Sequence, residues 1–139
     1  MTRYLLDTNT CIAFFKQHVT VVAQIQRKGF ERLLLCTPVK AELWYGACNS
    51  QRVLANQALL RDFFAQLPSL AFDDAVIEQY GEIRAFLTKQ GTPIGANDLL
   101  IAAIARAHNV TLVTHNLKEF SRVPQLSLED WQMPKSGQV

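Results

Sequence analysis

Arg3-Tyr4-Leu5-Leu6-Asp7-Thr8-Asn9-Thr10-Cys11-Ile12 is a short apolar run closed by polar residues and continued by an amphipathic stretch through Phe15. Such a run, followed by helical spacing, reads as a buried strand feeding a helix. Asp7 then lies at the strand's carboxyl end, the edge where open parallel sheets place their ligands. Thr8 and Asn9 carry side-chain oxygens suited to capping the helix, and with Thr8 in that role Asp7 is free to face a cleft.

Two further segments place a carboxylate near a strand or a helix start. Leu33-Leu34-Leu35-Cys36 precedes Thr37-Pro38-Val39-Lys40-Ala41-Glu42-Leu43-Trp44-Tyr45-Gly46. Thr37 as N-cap with Pro38 at the first helical position predicts a helix start, because proline's missing N–H would be unpaired there anyway. Glu42 falls one turn in, beside the face formed by Val39, Leu43 and Ala47. Later, the turn-rich Gly91-Thr92-Pro93-Ile94-Gly95 leads to Asn97-Asp98-Leu99-Leu100-Ile101-Ala102-Ala103-Ile104, apolar on nearly every side like a helix buried mid-domain. Asp98 sits at its start. Val110-Thr111-Leu112-Val113-Thr114-His115-Asn116 then alternates as a strand and ends in three polar side chains. Taken singly, Asp7 and Asp98 read more readily as helix caps or partners of the helix macrodipole than as ligands, and Glu42 as a solvated residue. Jointly the three supply the oxygen donors of a hard divalent cation.

The coarse order is strands at 3–6, 33–36, 70–72, 110–114 and near 126–128, with helices at 9–16, 19–29, 38–48, 52–66, 74–90 and 97–108. That alternation predicts an α/β fold with a mainly parallel sheet flanked by helices on both faces. A chain of 139 residues with 49% hydrophobic content fits one domain with its own core. Cys11, Cys36 and Cys48 form no CxxC pair and sit among apolar residues, which favours reduced thiols and a cytoplasmic location over a disulfide framework or a zinc site. No apolar run is long enough to span a bilayer, and the first strand leaves no room for a signal peptide. A net charge of +2 does not announce a nucleic-acid binder. Lys16, Lys40, Arg84, Lys89, Lys118 and Arg122 nevertheless fall in segments that would flank the cleft and could neutralise phosphates. The polar end Pro134-Lys135-Ser136-Gly137-Gln138-Val139 is expected to be a flexible tail.

In its ordered blocks the sequence resembles the PIN-domain nucleases, and within them the VapC-type toxins of bacterial toxin–antitoxin pairs. The resemblance runs from Leu5-Leu6-Asp7-Thr8-Asn9 through Ala41-Glu42-Leu43-Trp44-Tyr45-Gly46, Gly91-Thr92-Pro93-Ile94-Gly95-Ala96-Asn97-Asp98 and Val113-Thr114-His115-Asn116-Leu117-Lys118-Glu119-Phe120 to Leu128-Glu129-Asp130-Trp131. It implies a PIN-like three-layer fold, with residues 1–133 forming a single PIN domain. It also implies a metal-dependent endoribonuclease that hydrolyses phosphodiesters in structured RNA and so inhibits translation, with the initiator tRNA anticodon loop as one target. On this resemblance Asp7, Glu42 and Asp98 bind Mg²⁺, for which Mn²⁺ substitutes, while Thr8, Asn9, Thr114 and Asn116 support the site. Asp7 and Asp98 are the natural direct ligands, with Glu42 acting through water or as a base. Asn116 departs from the family, where many members carry a fourth Asp, and this weakens the case for a second ion. Implied partners are the RNA, a VapB-type antitoxin whose C-terminal segment covers the site, and a second copy in a homodimer or toxin–antitoxin hetero-oligomer. Phe14, Phe15, Trp44, Tyr45, Phe63 and Phe64 exceed what one small core needs and offer an apolar groove to an amphipathic helix.

Two other readings compete. A haloacid-dehalogenase-like phosphatase also begins with a strand ending in Asp, but Asn9 replaces the second Asp of its motif. A catalytically silent PIN module that binds RNA or protein is the non-enzyme alternative, suggested by Asn116 and opposed by the three remaining acids.

Overall fold

The computed structural model describes residues 1–133, so the expected tail at 134–139 lies outside the described residues. The elements run β1 (Tyr4–Leu6), α1 (Thr8–Phe15), α2 (Val19–Lys28), β2 (Leu33–Cys36), α3 (Thr37–Cys48), α4 (Val53–Gln66), β3 (Ser69–Leu70), α5 (Ile77–Gln90), α6 (Ala96–Ala107), β4 (Thr111–Val113), α7 (Leu117–Phe120) and β5 (Leu128–Glu129). All strand pairs are parallel, and the sheet order is β3-β2-β1-β4-β5. Every residue of β1, β2 and β4 is buried. Burial on both sides is what a parallel sheet covered by helices on each face requires, and it explains why these strands read as continuous apolar runs. Each fully buried leucine here, such as Leu5, Leu34 and Leu112, contributes about 2 kcal/mol of apolar transfer.

The order places β1 between β2 and β4, so the chain's progression across the sheet reverses beside β1. A crevice opens at such a switch point, outside the carboxyl ends of the two central strands. Asp7 and Thr114 follow those two ends directly. The helices pack largely as neighbours in sequence, α5 on α6, α3 on α4 and α1 on α2, and α3 also meets both α1 and α6. These last contacts carry residues of three helix starts to one edge of the sheet.

Several expectations shift at the element ends. Cys36, not Thr37, occupies the N-cap position of α3, in extended conformation and without a side-chain cap bond, so Pro38 is the second helical residue. β2 therefore passes straight into the helix. Asp98 lies in the first turn of a helix that begins at Ala96. The segment read as helix 74–90 opens with a 3-10 turn, Asp74–Val76, where Asp73 Oδ1 accepts from the Ala75 N–H. β3 and β5 have two residues each and lie at 69–70 and 128–129 rather than 70–72 and 126–128. Cys11 and Cys36 are buried as expected, but Cys48 is exposed, because it falls at the end of α3 on the side turned to solvent.

Beyond β5, Trp131 is 1% exposed and packs on Tyr4 with ring centroids 5.3 Å apart. Its Nε1–H donates to Glu129 Oε1 at 2.9 Å. The ring packs beside a strand too short to protect itself.

Candidate active site

Asp7 is both cap and cleft residue. Its Oδ1 accepts from the Thr8 N–H at 2.8 Å, so Asp7 rather than Thr8 caps α1, while Oδ2 accepts from Thr114 Oγ1 at 2.7 Å. The extended backbone at Asp7 (φ −75°, ψ 164°) turns its carboxylate back over the helix start, which leaves the Thr8 hydroxyl unable to cap. Asn9 does not cap either. Its Oδ1 accepts from the His115 N–H at 3.2 Å and joins α1 to the end of β4. Thr114 Oγ1 in turn accepts from the Asn116 N–H at 3.0 Å, which fixes the turn into α7.

The other two acids converge on the same edge. Glu42 Oε1 accepts from Asn97 Nδ2, which ties α3 to the first turn of α6. Asn116 Nδ2 donates to Glu119 Oε2 at 3.0 Å and lies 3.5 Å from Asp98 Oδ2, bracketed by two carboxylates. The electrostatics follow from this crowding. Burial pushes the Asp7 carboxyl up, and the hydrogen bonds from Thr114 and Thr8 hold it back. Burial also raises Glu42; Asn97 opposes this, the charge of Asp7 adds to it, and the Thr8 hydroxyl opposes weakly. Asp98 rises furthest, to about 7, through burial, its hydrogen bond to Glu119 and then the charges of Asp7, Glu119 and Glu42. Glu119 moves down for the complementary reason, since it accepts that bond from Asp98 and another from Asn116. Asp98 and Glu119 thus share a proton near neutrality, as neighbouring carboxyls do when both cannot ionise.

Glu119 and Asn97 went unread in the sequence. The cue for Glu119 is its spacing, one helical turn after Asn116; Asn97 is adjacent to Asp98 and has no distinctive cue of its own.

The donor set suits a hard cation: carboxylate oxygens on three elements, neutral oxygens beside them, and repulsion that a positive charge would relieve. Thr8 Oγ1 adds a buried hydroxyl without a well-formed hydrogen bond. Among the described residues, however, no three His, Cys, Asp or Glu side chains are drawn together tightly enough to enclose an ion by themselves. Glu42 is held by Asn97 and Asp98 by Glu119, so each acid is restrained by a partner of its own. Mg²⁺ keeps several waters and requires only one or two carboxylates, which this arrangement can offer. Neither buried thiol offers a nucleophile, since burial raises Cys11 well above its usual range and Cys36 to about 12.

Around the acids the surface divides. A groove of about 460 Å³ is lined by Ile12, Phe15, Leu43, Ala47, Leu59 and Leu60 and reaches Thr8, Lys16 and Glu42. A second, of about 440 Å³, shares Phe15 and Leu59 with it and adds Phe14, Phe30 and Phe63. Tyr45 is 68% exposed. Two cations lie over aromatic rings: Arg61 over the Trp44 ring and Lys40 over Phe64. Of the expected flanking cations, Lys40 and Arg84 are thus engaged with aromatic rings, Arg122 donates to the Pro93 carbonyl at 3.0 Å, and Lys118 is exposed beside Glu119.

Comparison with known proteins gives this architecture its family. The PIN domain model matches residues 4–126. A Rickettsia felis protein named ribonuclease VapC2 is 40% identical over 131 residues, spanning 92% of this chain and 97% of its own. The Salmonella typhimurium tRNA(fMet)-specific endonuclease VapC is 35% identical, spanning 94% and 99%. Among solved structures, VapBC2 from Rickettsia felis bound to a promoter DNA fragment superposes with a TM-score of 0.87 at 39% identity, covering 94% of this chain and 99% of that one. The chain belongs to the PIN-domain family and, within it, to the VapC ribonucleases.

Proposed function

We propose that this chain is the toxin of a toxin–antitoxin pair, a metal-dependent endoribonuclease that hydrolyses phosphodiester bonds in structured RNA and so inhibits translation. The observation that carries this is the acidic edge at the sheet's switch point, where Asp98 is pushed to about 7 by burial and by Glu119, Asp7 and Glu42. Strongly shifted acids in a cleft mark a site built for chemistry more often than one built for stability. In this proposal Asp7 and Asp98 hold Mg²⁺ or Mn²⁺ directly, and Glu42 acts through water or as a base. Thr8, Asn9, Thr114 and Asn116 support them. When bound, the ion supplies charge neutralisation at the scissile phosphate and a more acidic water. The chain's own part is to aim the acids: Thr114 orients Asp7, Asn97 orients Glu42, and Asn116 lies against both Asp98 and Glu119.

The initiator tRNA as target is supported by the name of the Salmonella relative. An antitoxin of VapB type is supported by the VapBC complexes of relatives and by the apolar groove that runs into Glu42, where its C-terminal segment would cover the site. Residues 1–133 acting as one PIN domain, a homodimer or toxin–antitoxin hetero-oligomer, and a cytoplasmic location complete the proposal. Among the described residues no helix is long and apolar enough to cross a membrane. The test is cleavage of total RNA with and without chelator, followed by end analysis. Activity should require Mg²⁺ or Mn²⁺ and leave 5′-phosphate and 3′-hydroxyl ends. Cleavage that survives chelation, or cyclic 2′,3′-phosphate ends, would overturn it.

A further inference from the structure

One strand outward from Asp7, on the same edge of the sheet, His115 and Asp130 stand side by side. Parallel pairing sets Val113 opposite Glu129, and the Thr114 N–H donates to the Glu129 carbonyl at 2.9 Å, so the residues that follow β4 and β5 meet. His115 Nδ1 lies 3.0 Å from Asp130 Oδ2; the Asp130 side chain is 8% exposed and that of His115 51%. Asp130 Oδ1 accepts from the Gln132 N–H at 2.9 Å, which fixes the carboxylate from its other side. A carboxylate so placed sets the imidazole with Nδ1–H toward Asp130. Nε2 has no hydrogen-bond partner among the described residues, and the side chain as a whole is half exposed.

The ring's base is anchored to the acidic cleft. The His115 N–H donates to Asn9 Oδ1 in α1, Thr114 on one side bonds Asp7, and Asn116 on the other lies against Asp98 and Glu119. Lys118 and Arg122, which follow His115 in the chain, lie close enough to lower Glu119.

We propose that His115 is a substrate-positioning residue, whose Asp130-held imidazole, in its doubly protonated form, donates from Nε2 to a phosphate oxygen of the RNA strand next to the scissile one. This rests on the ribonuclease function proposed above. Its place fits a flanking phosphate, since His115 follows the strand next to the one that Asp7 follows. The competing role is a latch that merely fastens the turn after β5 to β4.

Two substitutions separate these roles. His115→Asn places an amide donor where Nδ1 stands and keeps the Asp130 contact; His115→Gln places one where Nε2 stands and gives up that contact. Binding of a labelled RNA hairpin is measured by fluorescence anisotropy across a salt series, in an Asp7→Asn background to prevent cutting, together with thermal melts and Mn²⁺ affinity in the Asp7-intact proteins. The Asn variant should melt like its parent yet bind RNA about tenfold more weakly, as expected for a lost charge-assisted hydrogen bond. Its slope of log affinity against log salt should fall by about 0.7 for one single-strand phosphate contact. The Gln variant should melt lower but bind more tightly than the Asn variant, and Mn²⁺ affinity should be unchanged in both. An Asn variant with parental affinity and salt slope would make His115 a latch and overturn the proposal. If the Asp7-intact protein binds the hairpin without ever cutting it, the ribonuclease function fails while the two variants still decide the role of His115. A parent that does not bind RNA overturns both.

Discussion

Two polar clusters in this fold are built in opposite ways. Around Arg106, on α6, every charge is answered: Nε donates to Gln79 Oε1, Nη1 to the Pro124 carbonyl at 3.1 Å, and Nη2 to Glu82 Oε2 at 3.0 Å. This guanidinium joins α5, α6 and the segment before β5. At the other end of the same helix, Asp98 faces Glu119, with Asp7 and Glu42 adding like charge, and no cationic side chain forms an ion pair with any of the four among the described residues. A satisfied network stabilises and specifies a fold, whereas a crowd of like charges costs stability and persists where something else is to bind.

The largest expected effect breaks the acidic cluster. Asp7→Asn or Asp98→Asn should lower RNA cleavage by about a thousandfold, the scale on which a transition-state-stabilising group acts. Gel-based initial rates at saturating Mg²⁺ check this. Removing one of several repelling charges should leave the metal-free Asp98→Asn fold as stable as the wild type or more so. Activity within tenfold of wild type would leave these acids without the catalytic role.

Breaking the balanced cluster should do the reverse. Arg106→Ala strands Gln79 and the Pro124 carbonyl and should cost about 2 kcal/mol, lowering Tm by roughly 8 °C. Little of this comes from Glu82, whose side chain is 67% exposed. Cleavage below the new melting point should stay within about threefold of wild type, because nothing at Arg106 distinguishes transition state from ground state. A specific loss of activity at unchanged Tm would erase the contrast between the two regions.

A smaller effect appears with pH. Asp98 has a folded value of about 7, above that of an unfolded Asp, so the native state holds an extra proton between the two. The associated stability is full below the unfolded value and is lost as pH rises through about 7. Glu119 is shifted the other way, and its contribution is lost only in acid, below the ordinary range for Glu. Metal-free Tm should therefore fall between pH 5 and about 7.5, and less so in Asp98→Asn. Equal slopes in the two proteins would remove the shared proton.

The smallest expected effect sharpens the picture at Asn116. Its amide now donates toward both Asp98 and Glu119. Asn116→Asp replaces that donor with a further charge, so Mn²⁺ affinity should rise while metal-free stability drops slightly and cleavage stays level or falls. Calorimetry showing unchanged affinity and stoichiometry would confine residue 116 to the turn.

What could be read from the sequence follows the strength of each local signal. β1, β2 and α6 were legible because burial on both faces, or all round, leaves unbroken apolar runs. α7 has four residues and β5 two, too few for any period to show, and both are held by tertiary contacts. Asp7, Glu42 and Asp98 could be singled out by their places after strands and at helix starts. That Asp7 would cap α1 and face the cleft at once could not, because it depends on a backbone turn that no residue type dictates. Glu119 was hidden for a related reason: it meets Asp98 only through a side-chain hydrogen bond made in the folded chain.

The most direct test of the contrast is a pair of thermal melts, wild type and Asp98→Asn, each with and without Mn²⁺ at pH 7.5. The account predicts that the metal raises wild-type Tm by mass action, while the variant starts level with or above metal-free wild type and hardly responds. A variant that melts well below the wild type without metal, and still gains the same increment with it, would make Asp98 a structural cap and contradict the acidic edge as a cation site.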